Sequence, residues 1–237
     1  MKALLTCRKK IKSGLDIKIV SHFSDQIGFG SSAAVTVAIL AALYQYLDIN
    51  YASLDLLRDA RRVIRAVQGR GSGADIAASV FGGLIQYLAQ PLQVLPLHGI
   101  YPITALYSGF KTKTADAIQQ MEQRFQHAPK LYQHLYLAIG QCVQRGVAAV
   151  RQQDWPQLGH IMNVQQGLLD ALGVNLPILQ TMVTELREQD AILGAKISGS
   201  GLGDCVVGLG EAELRNMQYS EVKAIPVAMT SRGVCHE

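Results

Sequence analysis

Two glycine-serine segments lie far apart in the chain, Gly28-Phe-Gly-Ser-Ser32 near its start and Lys196-Ile-Ser-Gly-Ser-Gly-Leu-Gly-Asp204 near its end. The first leads directly into an apolar, alanine-rich run of helical character. Such a loop aims backbone N–H groups at an anion above it, most commonly phosphate. Gly28 and Gly30 allow the turn and a close ligand approach. Ser31 and Ser32 add hydroxyls suited to a phosphate oxygen or a metal ion, and the helix dipole adds about 1 kcal/mol for an anion. The Lys-Ser/Thr ending of a Walker loop is missing. A third glycine-rich stretch, Gly69 to Asp75, carries an acid that could serve as a base toward a hydroxyl or hold a metal. The plainer reading is that Asp75 caps the helix after it. In the second segment, Ser198, Gly199, Ser200 and Gly201 sit between two apolar strands. A tight hairpin is the plainer reading there, although hairpin turns seldom need so much glycine and serine. Two anion loops and an acid together predict phosphoryl transfer. Lys111-Thr-Lys-Thr114 reads equally as a phosphate contact or as a solvated helix start. The histidines (His22, His98, His127, His134, His160 and His236) show no metal-ligand spacing.

The chain that must position these residues has 237 of them, enough for one large domain or two small ones. It is 49% apolar and 17% charged, which places it among globular chains. The net charge of +4 is mild. Basic residues cluster at Arg8-Lys9-Lys10-Lys12 and at Arg58, Arg61, Arg62, Arg65 and Arg70. The second cluster suits an anionic small molecule. With a single Trp and no interleaving of aromatic and basic residues, no nucleic-acid partner is expected. Cys7, Cys142, Cys205 and Cys235 are too scattered for a zinc knuckle or redox pair and read as reduced thiols of a cytoplasmic protein. The apolar stretch after Met1 is broken by Arg8-Lys9-Lys10, and Ala33 to Leu43 is too short to span a bilayer, so neither a secretory signal nor a membrane partner is expected.

Alternation predicts a strand over Leu15–Ser21, with Ile17 and Ile19 on one face and Lys18 and Val20 on the other. Ser31 or Ser32 then caps a helix over Ala33–Leu47, whose lack of a polar face predicts full burial. Ser53 caps an amphipathic helix over Ser53–Val67. A short helix, Ala74–Val80, follows the aspartate loop. Strands are expected at Leu84–Leu88, Gln93–Leu97 and Ile103–Tyr107, punctuated by Pro91, Pro96 and Pro102. The last of these prolines marks the expected boundary between domains 1–101 and 102–237. Helices are predicted over Ala115–Gln126, Lys130–Arg151, Pro156–Leu172 and Leu176–Gln189. Strands Ile192–Ile197 and Asp204–Leu209 flank the second loop, and a helix Glu211–Met217 and a strand Val222–Met229 complete the chain. Strands and helices come in blocks, which defines an α+β class.

Together the motifs resemble the GHMP kinase superfamily, in its mevalonate kinase and phosphomevalonate kinase branch. Gly28-Phe-Gly-Ser-Ser-Ala-Ala34 resembles the family's ATP phosphate loop. Lys196 to Cys205 resembles its third motif, and Gly69-Arg-Gly-Ser-Gly-Ala-Asp75 stands where the mevalonate branch carries its catalytic aspartate. Met162-Asn-Val-Gln-Gln-Gly-Leu-Leu-Asp-Ala-Leu-Gly-Val174 and Leu193-Gly-Ala-Lys-Ile-Ser-Gly199 are similar to mevalonate kinases, whereas Val67 to Ser79 and the Gly-Asp-Cys ending at Cys205 are similar to phosphomevalonate kinases. The resemblance implies a two-domain fold, an N-terminal domain holding the phosphate loop and a helix-rich C-terminal domain. It implies transfer of the γ-phosphoryl of ATP, with Mg2+, to the hydroxyl of mevalonate, or alternatively of phosphomevalonate. Gly28, Gly30, Ser31, Ser32 and Ala33, with Ser198, Gly199, Ser200 and Gly201, would hold the nucleotide. Ser32 would ligate the metal, Asp75 would accept the hydroxyl proton, and Arg70, Ser72, Lys111 and Lys113 would contact the acceptor.

Three departures accompany the resemblance. The family's N-terminal proline-glycine-lysine segment has no counterpart before Asp16. Ile64 occupies the place of a magnesium-binding glutamate, and Ser24-Asp25-Gln26 replaces the usual proline and glycine. They imply an N-terminally shortened kinase, or one read from a later start. A non-catalytic module that keeps the fold is the rival expectation. Missing strands would leave a sheet edge open, which favours a homodimer.

Overall fold

A computed structural model describes residues 11, 14–21, 30–69, 71–213 and 223–235. They belong to two compact units, Met1–Pro96 with Thr230–Glu237, and Leu97–Met229. The division falls a few residues before Pro102, and the C-terminal segment returns to the first unit.

The first unit is built from helices α1 (Ser31–Tyr46), α2 (Ser53–Gln68) and α3 (Ala74–Phe81), and a two-stranded sheet of β1 (Leu84–Ala89) and β2 (Leu92–Leu97). On α1, Ala33, Val37, Leu40, Ala41 and Tyr44 recur at helical spacing and are buried against Leu56, Leu57, Ala60 and Ile64 of α2 and Ile76, Ala77 and Val80 of α3. Ala38 and Ala42 on the other side of α1 are exposed, so the helix buries one stripe and not its whole circumference. Alanine is small enough to face solvent at little cost, which apolar composition alone does not reveal. Ser53 is the first helical residue of α2 and not its cap. The N-cap is Ala52, whose N–H donates to the Asp55 carboxylate at 3.2 Å. The returning C-terminal segment locks onto α3: the Gly83 N–H donates to the Thr230 carbonyl at 2.6 Å, and the Val234 N–H to the Ser79 carbonyl at 2.9 Å.

Residues 14–21 form no strand, and Ile19 and Val20 are 55% and 65% exposed. Alternation specifies a strand only where a partner edge supplies the ladder.

The second unit comprises β3 (Ile103–Tyr107), α4 (Thr114–Arg124), α5 (Pro129–Gln152), α6 (Trp155–Ala171), α7 (Pro177–Arg187), β4 (Gly194–Ser198), β5 (Cys205–Leu209) and β6 (Lys223–Ile225). Four strands form an antiparallel sheet in the order β4-β5-β3-β6, with Cys205 opposite both Ser198 and Tyr107. Its core joins Leu106, Ala195, Ile197 and Val206 to Leu179, Met182, Val183 and Leu186 of α7. The expected helices here are present with ends shifted by one or two residues. The last strand stops at Ile225. Glu211–Glu213 is irregular, and the rest of the helix expected over Glu211–Met217 lies outside the described residues.

β4 is an edge strand, and α6 closes that edge with side chains. The Asn163 Oδ1 accepts the Ala195 N–H at 3.0 Å, and the Gln166 Oε1 accepts the Ile197 N–H at 2.8 Å. Arg187 of α7 donates to the Ala195 carbonyl at 2.7 Å. So tight an approach needs glycine on both sides. A Cβ on Gly194 would lie 2.1 Å from the Gly159 carbonyl oxygen, and one on Gly159 would lie 2.3 Å from that of Leu193. Gly194→Ala is therefore expected to destabilise the protein by about 3 kcal/mol through overpacking against backbone, read from the shift of a urea unfolding midpoint.

Candidate functional site

In the first unit the start of α1 and the start of α3 meet. Gly30 is the N-cap of α1 with φ 71°, and its carbonyl accepts the Ala34 N–H at 2.9 Å. Ser31 and Ser32 are thus the first helical residues, not the cap, and the amides of the first turn point out along the axis. Asp75 is the second residue of α3, whose N-cap is Gly73 at φ 83°. The N-cap is thus not Asp75, to which the plainer reading gave that role, and the Ser72 hydroxyl accepts the Ala74 N–H at 3.2 Å. The Asp75 Oδ1 accepts the Ile76 N–H at 2.9 Å. Its Oδ2 lies 3.9 Å from where a Cβ of Gly30 would stand, and its Cβ only 3.2 Å. Glycine at position 30 leaves this gap open, and an exposed carboxylate faces the anion-binding end of α1. Gly28 and Arg70 lie outside the described residues.

Two residues that the motifs did not assign a role complete this corner. The Tyr87 hydroxyl on β1 donates to the Ser72 carbonyl at 2.6 Å and pins the aspartate loop. Burial raises the Tyr87 pKa; the Arg61 and Arg65 guanidinium groups oppose the rise and Asp75 adds to it. Arg61 stands in the sequence as one arginine of a basic cluster, and nothing in the spacing separates it from its neighbours. Tyr87 carries no signal beyond its strand pattern.

In the second unit the glycine loop between β4 and β5 runs through left-handed backbone at Gly199 (φ 81°), Gly201 (73°), Leu202 (59°), Gly203 (122°) and Asp204 (74°). Leu202 and Asp204 hold a conformation that costs a side-chain-bearing residue about 1–2 kcal/mol, and the surroundings over-determine it. The Leu202 N–H donates to the Val174 carbonyl at 2.8 Å, and the Asp204 N–H to the Phe110 carbonyl at 2.8 Å. A Cβ on Gly201 would come within 2.6 Å of Val174, and one on Gly203 within 2.7 Å of the Phe110 ring. A simple hairpin turn has no need of such a loop. Strain of this kind gathers where backbone amides are aimed at a ligand. Thr112 hydrogen-bonds the Leu202 carbonyl, so the segment carrying exposed Lys111 and Lys113 is tied to this loop. Lys113 is the N-cap of α4. Ser198 and Ser200 are half-buried, one closing β4 and one within the turn.

Lys196 on β4, ahead of the loop, is half-buried and donates to the Ile197 carbonyl at 2.6 Å. Burial pulls its ammonium down to about 8.

The GHMP kinases N terminal domain matches residues 1–83 and the GHMP kinases C terminal domain matches residues 146–220. The chain is 30% identical over 211 residues to the mevalonate kinase of Pyrococcus abyssi, covering 87% of this chain and 62% of that protein. It is 31% identical over 224 residues to the mevalonate kinase of Pyrococcus horikoshii, covering 92% and 66%. Among solved structures it superposes on L. major mevalonate kinase in complex with R-mevalonate with a TM-score of 0.69 at 27% identity, over 77% of this chain and 57% of that one. The chain belongs to the GHMP kinase family and has its α+β fold. It spans 62–66% of the length of these curated relatives.

The Lys196 ammonium gives a pH test. Its folded pKa lies below the ordinary lysine value of 10.5, so between about 8 and 10.5 the unfolded chain holds a proton that the folded chain has released. Stability contributed by this group therefore rises with pH across that window. Unfolding midpoints of the wild type and of Lys196→Met, compared from pH 7.5 to 10.5, are expected to move in favour of the wild type as pH increases.

Proposed function

We propose that this chain is an ATP-dependent kinase that phosphorylates the hydroxyl of mevalonate. The observation that carries the reading is the contact of Asp75 with Gly30, which sets a carboxylate against the anion-binding start of α1. Phosphoryl transfer asks for in-line placement and charge neutralisation more than for covalent help. Backbone amides from Gly28 to Ala33 hold the triphosphate. The loop Ser198, Gly199, Ser200 and Gly201 presents further amides and hydroxyls to phosphate oxygens. The exposed Ser32 hydroxyl would be the protein ligand of a magnesium ion, which when bound would offset the triphosphate's charge and takes few protein oxygens alongside phosphate.

Asp75 orients the acceptor hydroxyl and takes its proton as the oxygen attacks the γ-phosphorus. Held by the Ile76 N–H through Oδ1, it keeps Oδ2 for the substrate. Ser72, Arg70, Lys111 and Lys113 are the acceptor contacts that the motifs offer. The same reading expects the protein in the cytoplasm, as a homodimer. No helix among the described residues is long and apolar enough to cross a membrane.

Incubation of the full chain with Mg-ATP and mevalonate is expected to yield ADP and a phosphorylated mevalonate, followed by a coupled ADP assay and by 31P NMR. Phosphomevalonate in the same assay tests the other branch. Asp75→Asn is expected to lower kcat by about 10²–10⁴-fold while nucleotide affinity stays within a few-fold. An Asp75→Asn protein with wild-type turnover would remove the general-base role.

A further inference from the structure

The α2 arginines divide into two kinds. Arg58 and Arg62 are exposed and paired with carboxylates one turn earlier, to Asp55 at 3.0 Å and Asp59 at 2.8 Å. Arg61 and Arg65 form no ion pair among the described residues, and these are the two whose charge reaches the Tyr87 hydroxyl beside the aspartate loop. Arg61 is only 8% exposed, and its buried Nε–H has no hydrogen-bond acceptor among the described residues. Its stem packs under the loop: a Cβ on Gly73 would meet the Arg61 Nε at 3.0 Å and Cγ at 3.1 Å. The guanidinium lies 6.0 Å from the centroid of the Tyr87 ring. Packing and the ring account for the burial of the stem. They do not account for a buried Nε–H that lacks an acceptor among the described residues, since buried donors are otherwise hydrogen-bonded.

We propose that Arg61, assisted by Arg65, forms the recognition subsite for the anionic end of the phosphoryl acceptor, a carboxylate or phosphate monoester on a small alcohol. The inference rests on the kinase reading above and deepens it. Arg61 touches the loop two residues before Asp75, so an anion paired with it would hold an attached hydroxyl close to the carboxylate that takes its proton. The charge of the acceptor, not its carbon skeleton, would then set its register. The arginine fork favours flat, two-oxygen anions over a point charge.

Calorimetry on the full chain without turnover tests this, using mevalonate, phosphomevalonate and the neutral mevalonolactone. Arg61→Met is expected to weaken mevalonate binding by about 30-fold or more, as expected when one partner of a buried charge pair is removed. Arg61→Lys recovers part of the loss, and the exposed Arg65→Met weakens binding by about fivefold. Mevalonolactone is expected to bind the wild type and Arg61→Met alike, and nucleotide affinity stays within about threefold. A larger effect with phosphomevalonate assigns the phosphate to the subsite, and an equal effect assigns the carboxylate. An Arg61→Met protein with a wild-type thermal melt that binds mevalonate normally, or that loses nucleotide and acceptor together, overturns the proposal. The 15Nε resonance of Arg61 in the wild type gives a second readout that needs no variant to fold, and it is expected to move with mevalonate and not with the lactone. If the wild type binds neither acceptor, the kinase reading fails, and titration with inorganic phosphate decides the subsite alone. Movement of the Arg61 resonance would sustain it, and a static resonance would end it.

Discussion

The site in the first unit depends on a near-contact between two backbones that only glycine permits. Gly30 turns the chain into α1 through left-handed space and leaves room for Asp75, whose Cβ would otherwise press at 3.2 Å on a side chain there. The two helix starts this brings together, α1 and α3, present N–H groups to one region and a carboxylate beside them. Amide dipoles attract an anion and the acid repels one. Coexistence of the two in one corner is what a phosphoryl donor and a proton-bearing acceptor jointly require. Tyr87, hydrogen-bonded to Ser72, and Arg61, packed below Gly73, hold the loop that fixes this spacing.

The second unit obtains similar rigidity by another route. Its glycine loop is not held by a helix cap. It is clamped from outside, by the Val174 and Phe110 carbonyls and by the hydrogen bond to Thr112. The strand that feeds it, β4, would be an open edge, and such edges are hazards. Asn163 and Gln166 of α6 satisfy its outward amides, and Gly159 and Gly194 let helix and strand backbones approach closely enough for those side chains to reach. The segment Met162–Asp170, similar to mevalonate kinases in sequence, thus includes the residues that fasten the edge strand of the third motif.

Much of this was legible beforehand. Helical periodicity located α1 to α7 within a few residues, because a buried stripe repeats every 3.6 residues whatever it packs against. The turns at Gly30, Gly73 and Gly199–Asp204 were legible because glycine marks backbone that other residues resist. Failures came where a partner decides the outcome. Leu15–Ser21 alternates as a strand would, yet the described residues there form no strand. Ser53 has the chemistry of a cap, yet Asp55 reaches back to Ala52 and takes that role. Asp75 looks like a cap as well, but Gly73 is the N-cap, and Asp75 holds the Ile76 amide through one oxygen only.

The sequence by itself determined the elements, the α+β class and the inventory of anion-binding loops, since these follow from local sterics and from hydrophobic periodicity. Tertiary structure alone decided which side chains share a corner. It chose Arg61 over Arg58 and Arg62 by turning one face of α2 toward the aspartate loop. It gave Tyr87 a carbonyl to hold and set Asp75 against Gly30. Proximity between residues dozens of positions apart comes from packing, and packing is a property of whole surfaces that no local pattern of residues encodes.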